Sequence, residues 1–338
     1  RMTEEDRAKY EEEKAKVIEE WSDIELRFKD GPPRSNSEES NEEESTLGRQ
    51  GNGTHNNGEF VEEIFQNALW RRIFEMNYDN AMADARKELL DNNNGKEASA
   101  SYPFSGLLFL RRCVCRYCRF DPFRPPGDDV EIIKNDRLRT QRELLVALAA
   151  TPYSPASIEH YHLLLDFFRK ASRASMGDMA QVATCNRTGT HWQLVGFQGV
   201  DPSTDLRGVG ILGLLQLHYL VSEWGLPEEQ VATILKFSRD DKQNFPFAIV
   251  GLNFTHLVVT RLKSGELNGL ANIHNSFLDT INCIYRGCFI AFYRDWKATA
   301  KSILDFQPAL TKIDRVLTRD PSALYNMKWV DMPEDSPR

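Results

Sequence analysis

Long apolar runs and an excess of positive charge are both missing from this 338-residue chain. No segment approaches the about 18 uninterrupted apolar residues that a membrane-spanning helix needs. The formal net charge is −8, which makes the chain a poor general binder of nucleic acid. The first ten residues are charged and form no signal-peptide core, and a content of six cysteines then fits a reducing compartment. We therefore expect a cytoplasmic protein with no nucleic-acid partner.

Motifs of small-molecule enzymes are also scarce. The chain has no H-E-x-x-H and no G-x-S-x-G, and the kinase motifs V-A-I-K, H-R-D and D-F-G are lacking as well. Residues 208–213 do match G-x-G-x-x-G, but a dinucleotide site needs a strand directly before that motif. The preceding residues 201–205 are turn formers instead, so we expect these glycines to serve close packing.

Negative charge is concentrated in the first fifty residues, which hold 9 Lys/Arg and 16 Asp/Glu, against 33 and 34 in the remainder. Residues 4–29 are rich in Glu, Lys, Ala and Arg and favour a solvated helix. Residues 34–58 contain almost no apolar side chains and cannot bury enough surface to offset the entropy of ordering. We predict that 1–58 form an acidic, largely disordered arm.

Residues 59–127 are predicted to form a helical N-terminal extension. Apolar residues recur at helical spacing from Phe60 to Phe74. The sequence NNNG at 92–95 is expected to break the pattern, and Pro and Gly at 122–127 mark a boundary.

The segment 107–142 combines cysteines with basic residues. It holds nine Lys/Arg against five acids, which predicts a peripheral contact with an anionic internal membrane. The alternative is a basic face that meets acidic patches of this same chain. Ordinary core packing, reversible palmitoylation and zinc binding remain open for its three cysteines, Cys113, Cys115 and Cys118.

Beyond residue 128 the apolar periodicity predicts helix after helix, with no run of alternating strands. The predicted helices cover 137–150, 155–171, 210–224, 246–263 and 277–296. Residues 210–224 are apolar nearly all round, which is typical of a buried helix. The expected fold class is all-α, with a compact multi-helix domain over 128–320 and a C-terminal tail over 321–338.

The most informative stretch is 191–213, which is HWQLVGFQGVDPSTDLRGVGILG. It closely resembles the signature of ELMO domains, roughly W-x-x-x-G-F-Q-G-x-D-P-x-T-D-F-R-G-x-G-x-L-G-L. The stretch FAIVGLN at 247–253 and the segments FYRDW and ILDF near residues 292–306 resemble later parts of the same domain. Leu206 stands where the family usually has Phe. This difference affects a residue expected to serve packing and does not change the arginine of the motif.

The resemblance implies one of two activities. The ELMO domain-containing branch activates GTP hydrolysis on Arf/Arl small GTPases and carries an arginine where this chain has Arg207. The engulfment-scaffold branch lacks that arginine and works as a non-catalytic adaptor with DOCK exchange factors on Rac. Arg207 therefore favours a GTPase-activating protein that acts in membrane trafficking. No cofactor of its own is expected, since GTP and Mg²⁺ belong to the partner GTPase.

The resemblance also assigns expected roles within the motif. Arg207 is the expected arginine finger, and its alternative role is a simple ion pair with Asp205 or Asp201. Asp205 is expected to hold Arg207 in position. Gln198 is expected to form core hydrogen bonds, with a contact to the attacking water as the alternative. The remaining motif residues are expected to shape the site or its scaffold: Trp192, Gly196, Phe197, Gly199, Asp201, Pro202, Thr204, Gly208 and Gly210.

Overall fold

The computed structural model describes residues 67–98, 131–176 and 186–329. Every regular element in these three ranges is helical, which confirms the predicted all-α class. The predicted arm, the cysteines at 113, 115 and 118, and most of the predicted extension lie outside the described residues. Among the described helices, none is both long enough and apolar enough to cross a bilayer.

Two helices belong to the N-terminal extension. Helix α1 spans Ala68–Glu75, and the Asn67 side chain caps it by accepting backbone N–H groups of Leu69 and Trp70. Helix α2 spans Asp79–Ala98, so it continues through 92–95, where the sequence analysis expected a break. Asn and Gly are weak helix formers, but extending an existing helix gains one hydrogen bond per residue and is easier than starting one.

Two further helices cross the domain before its central motif. Helix α3 spans Asp136–Ala150 and ends just before Thr151 and Pro152, as predicted from the proline. Helix α4 spans Ile158–Met176, slightly displaced from the predicted 155–171. Both helices pack against the central helix described next.

The centre of the domain is helix α5, Gly210–Val221, in which every residue from Gly210 to Leu220 is buried. It is followed by α6 (Glu228–Phe237), α7 (Phe247–Ser264), α8 (Asn268–His274) and α9 (Phe277–Ala298). Helices α3, α4, α7 and α9 all contact α5, which leaves it no solvent-facing side. The buried helix predicted over 210–224 is therefore confirmed, but it ends three residues earlier than predicted.

The chain then returns along α9. A 3-10 turn at Ile303–Asp305 leads into α10 (Phe306–Arg319) and the short α11 (Pro321–Tyr325). The boundary predicted at residue 320 falls between these last two helices. Helix α11 packs on α9, where Gly287 allows its backbone to come close.

A buried hydrogen-bond chain ties α1 to the central helix. The Trp70 indole N–H donates to Nδ1 of His218 over 2.9 Å, and Nε2 of His218 lies 2.8 Å from Asp166 on α4. Since Nδ1 accepts, the imidazole carries its proton on Nε2 and donates it to the carboxylate. Burial lowers the pKa of His218, which keeps the ring neutral.

The prediction that the basic residues of segment 107–142 contact a membrane is wrong for Arg142. Its side chain is buried, its Nε donates to the Leu262 carbonyl over 2.9 Å, and Nη2 donates to the Lys263 carbonyl over 3.1 Å. These carbonyls belong to the last turn of α7, so Arg142 caps a helix end and cannot reach a lipid surface. Burial lowers its pKa to about 10, and the group remains charged at neutral pH.

Candidate functional site

Residues 186–209, which contain most of the motif, form a compact loop directly before α5. It contains two 3-10 turns, Thr190–Val195 and Pro202–Arg207, of which the first packs against α4 and the second against α5. The Gly189 N–H donates to the Val200 carbonyl over 2.7 Å, and this bond closes the first half of the loop. The segment is therefore a braced structure rather than an extended connection.

Aromatic packing holds the underside of the loop. Trp192 and Phe197 are buried, and their rings make edge-to-face contacts with Phe168 and Phe167 of α4 at centroid distances of 5.1 and 6.1 Å. The Trp192 indole N–H donates to the Arg187 carbonyl over 3.1 Å. The indole is thus both packed and hydrogen-bonded, and it anchors the loop to α4.

Gly196 fits the loop against the start of α7. Its φ is +85°, a conformation that favours glycine, and an added Cβ would lie 2.7 Å from the Ala248 nitrogen. The Gly196 carbonyl accepts the Ile249 N–H over 3.2 Å. It thereby satisfies one of the N–H groups that the first turn of a helix leaves without an internal partner.

The second turn is shaped by its own polar residues. The Asp201 side chain accepts the Ser203 N–H over 2.9 Å, and the Thr204 hydroxyl donates to the Asp201 carbonyl over 2.8 Å. Pro202 occupies the first position of the turn, where its missing N–H costs nothing. These contacts fix the backbone that leads to Arg207.

Asp205 joins the two halves of the loop. Its carboxylate is buried and accepts the Gln198 N–H over 2.8 Å, while the Thr204 hydroxyl lies at 3.5 Å. Burial raises the pKa of Asp205 to about 6, against the opposing effects of these contacts and of the Arg207 charge. No salt bridge joins Asp205 to Arg207 in the described ranges. Any influence of Asp205 on Arg207 therefore acts through its charge and through the shape of the turn.

Arg207 is the last residue of the second turn, and it is exposed together with Gly208. Among residues 67–98, 131–176 and 186–329, no group forms a hydrogen bond or ion pair with its guanidinium. The ion pairs that the sequence offered as an alternative, with Asp205 or Asp201, are not formed. The guanidinium is thus exposed to solvent, while the turn that carries it is fixed.

Gly210 sets the angle at which α5 leaves the site. Its φ is +56°, and an added Cβ would lie 2.6 Å from the Ala149 carbonyl oxygen at the end of α3. The next residue, Ile211, donates its N–H to the Thr151 carbonyl over 2.9 Å. The structure thus uses this glycine for packing, and a 3-10 turn stands where a dinucleotide site would need a strand.

Sequence reasoning missed three features of this loop. Arg187 lies with its guanidinium 4.2 Å from the ring centroid of Tyr161 and also donates to the Pro155 carbonyl. Leu194 and Val200 are apolar and yet exposed. A motif describes residue types, and the side that each residue faces appears only once the loop is folded.

Two further predicted residues, Gly199 and Gln198, are half-buried. The Gln198 backbone N–H donates to the Asp205 carboxylate, and its carbonyl accepts from the Gln193 side chain.

Comparisons with known proteins agree with this picture of the domain. The model of the ELMO/CED-12 family matches residues 143–310. The chain is 30% identical to human ELMO domain-containing protein 3 over 216 residues, which are 64% of this chain and 53% of that protein. It is 35% identical to mouse ELMO domain-containing protein 2 over 205 residues, or 61% of this chain and 57% of that one.

An ELMO domain-containing protein B from Dictyostelium discoideum is 35% identical over 156 residues, which are 46% of this chain and 51% of that protein. The chain spans about half the length of the curated relatives it matches. No solved structure matches it.

Proposed function

Since this chain belongs to the ELMO/CED-12 family, whose members are associated with small GTPases, we propose that it is a GTPase-activating protein for Arf- and Arl-type GTPases. Arg207 is its arginine finger. The protein supplies no complete active site of its own, because the GTP and Mg²⁺ are bound by the partner GTPase.

The observation that carries this proposal is the exposed Arg207 on a braced turn. Negative charge spreads over the phosphate oxygens in the transition state of GTP hydrolysis, and a guanidinium inserted from a partner stabilises it. Arginine suits this role because it is always protonated and presents a planar fork of donors. Such fingers accelerate hydrolysis by roughly 10³–10⁵-fold.

The position of Arg207 three residues before α5 adds a second argument. The positive end of a helix dipole disfavours a nearby cation, and no acidic side chain in the described ranges forms a salt bridge that would offset this effect. Contact with the phosphate groups of a bound nucleotide would offset it. The arginine therefore gains more from meeting an anionic ligand than an ordinary surface arginine does.

The contacts beneath the loop support the proposal in a different way. A group that acts in a transition state is effective when it is already held in place, since little order must then be created during the reaction. Trp192, Gly196 and Asp205 fix the loop from below through packing, close approach and hydrogen bonding. Arg207 has only its own side-chain torsions left to arrange.

Single-turnover GTP hydrolysis by a panel of purified Arf and Arl proteins tests the proposal, with Rac as the comparison. At least one Arf or Arl protein should hydrolyse GTP about 10³-fold or more faster in the presence of this protein, the lower end of the effect expected for a finger. Binding to GTP-loaded Arf, Arl or Rac without acceleration would instead indicate a non-catalytic adaptor.

A cytoplasmic location with peripheral contact to an internal membrane stays a prediction from the sequence. The basic segment that suggested it loses Arg142 to the interior, and Arg139 forms a 2.5 Å salt bridge with Asp136. Co-sedimentation with anionic vesicles tests it: binding should weaken with added salt and fall when Arg111, Arg112, Arg116 and Arg119 are replaced by Gln. Equal binding to neutral vesicles would contradict it.

A further inference from the structure

Leu194 and Val200 stand out on the proposed catalytic loop because they are exposed apolar side chains in a well-packed segment. They are 41% and 49% exposed, whereas their neighbours Trp192, Val195 and Phe197 are buried. Single exposed apolar residues are common on proteins and need no explanation by themselves. Two such side chains on the loop that carries Arg207, however, would both lie close to a partner that binds there.

Folding does not require an apolar residue at either position. In the first 3-10 turn, residues three apart share a face, and Trp192 and Val195 form the buried one. Leu194 therefore faces outward by the geometry of the turn. Val200 braces the loop through its carbonyl, which accepts the Gly189 N–H, and that bond does not depend on its side chain. We therefore expect the fold to tolerate a polar residue at either position.

The loop contacts connect these two residues to Arg207. Val200 closes the half of the loop that contains Leu194, and the Asp205 carboxylate holds Gln198 of this half against the turn that ends at Arg207. The two apolar side chains and the arginine thus belong to one braced unit. If Arg207 enters the nucleotide site of a GTPase, this unit must approach the rim of that site.

The rim of a GTP-loaded site is formed by the switch segments, which the γ-phosphate orders and which are released after hydrolysis. We propose that Leu194 and Val200 are the docking contacts for these ordered switch segments and give the protein its preference for the GTP-bound partner. This inference rests on the function proposed above and assigns separate roles to the residues of the loop. Arg207 sets the rate of hydrolysis within the complex, and the two apolar side chains set how tightly the complex forms.

The concentration dependence of activation separates these two roles. Single-turnover hydrolysis is measured at increasing concentrations of wild type, Leu194→Ser, Val200→Ser and Arg207→Ala. The serine variants should raise the half-saturating concentration about tenfold each, the loss that follows when a side chain carrying much of the binding energy is removed, with the saturating rate within about twofold of wild type. Arg207→Ala should instead lower the saturating rate.

Leu90→Ser is the matched control, because Leu90 is an equally apolar and 55% exposed residue on α2, outside the loop. It should leave both parameters at their wild-type values. Leu194→Gln repeats the test with a side chain of similar length to leucine and a higher helix propensity than serine. Circular dichroism verifies that each variant is folded.

A binding measurement that does not depend on hydrolysis completes the test. Partner loaded with a non-hydrolysable GTP analogue should bind Arg207→Ala, and binding should weaken about tenfold when Leu194→Ser is added. If wild type activates hydrolysis and both serine variants keep its half-saturating concentration, the docking assignment alone is overturned. Absence of both activation and binding by wild type would overturn the proposed function, and the docking assignment with it.

Discussion

Helix α5 and the loop that leads into it are adjacent in sequence but use their side chains in opposite ways. In α5 every residue from Gly210 to Leu220 is buried, so each side chain contributes to packing. In the loop, buried Trp192, Phe197 and Asp205 alternate with exposed Leu194, Val200 and Arg207. The helix provides stability, and the loop divides its residues between attachment to the domain and exposure at the surface, where the proposed partner would bind. Substitutions should therefore separate stability from activity within the loop.

The largest loss of stability should follow from Trp192→Ala. Removing a fully buried aromatic ring typically costs about 3–5 kcal/mol, and here an indole N–H bond to the Arg187 carbonyl is lost as well. Denaturant unfolding measures the change. A cost below about 1 kcal/mol would show that the loop is not anchored through this ring.

Gly196→Ala should be next, with Gly199→Ala as its control. The first adds a Cβ at a positive φ and against the backbone of α7, and we expect a loss of about 3 kcal/mol or more. At Gly199 the nearest atom to an added Cβ is 3.9 Å away, so the thermal midpoint should hardly change. Similar melting temperatures for the two variants would contradict the described contact between the loop and α7.

Trp70→Phe tests whether α1 is part of the same folded unit. The substitution leaves Nδ1 of the buried His218 without its donor, and an unsatisfied buried group costs about 1–3 kcal/mol. Chemical denaturation should show the loss in a single transition with an unchanged slope. A separate early transition would instead indicate that α1 detaches on its own.

Asp205→Asn should alter how stability depends on pH. Burial raises the pKa of Asp205 to about 6, above the value near 3.9 expected for an unfolded chain. The raised pKa stabilises the folded state most fully below pH 4, and this contribution is lost as the pH rises through 6. Between pH 5 and pH 7 the unfolding free energy of wild type should fall by about 1 kcal/mol relative to the variant. A parallel pH dependence would show that Asp205 titrates normally.

Periodicity and helix-stopping residues were sufficient to predict much of the fold. The helices predicted over 137–150, 246–263 and 277–296 agree with the observed bounds within two residues. Long apolar segments bounded by Pro or Gly determine helices largely by themselves. The continuation of α2 through 92–95 was missed because the predicted break weighed local propensity alone.

Contacts between distant segments account for what the sequence did not predict. The basic segment suggested a surface role for Arg142, which instead caps α7, a helix that lies some 120 positions further along the chain. The motif identified the loop residues but not the faces on which they lie. Those faces follow from the fit of Gly196 against α7 and Gly210 against α3, and no local pattern encodes either contact.

Replacement of Arg207 should have the smallest effect on stability and the largest on activity. Its side chain is exposed and makes no polar contact within the described ranges, so Arg207→Ala and Arg207→Lys should change the unfolding free energy by less than about 0.5 kcal/mol. The most direct test is the saturating single-turnover rate of GTP hydrolysis by the most responsive Arf or Arl protein. Both variants should lower that rate by about 10³-fold or more, since lysine lacks the planar fork. Hydrolysis by the alanine variant at the wild-type rate would contradict the assignment of Arg207 as the finger.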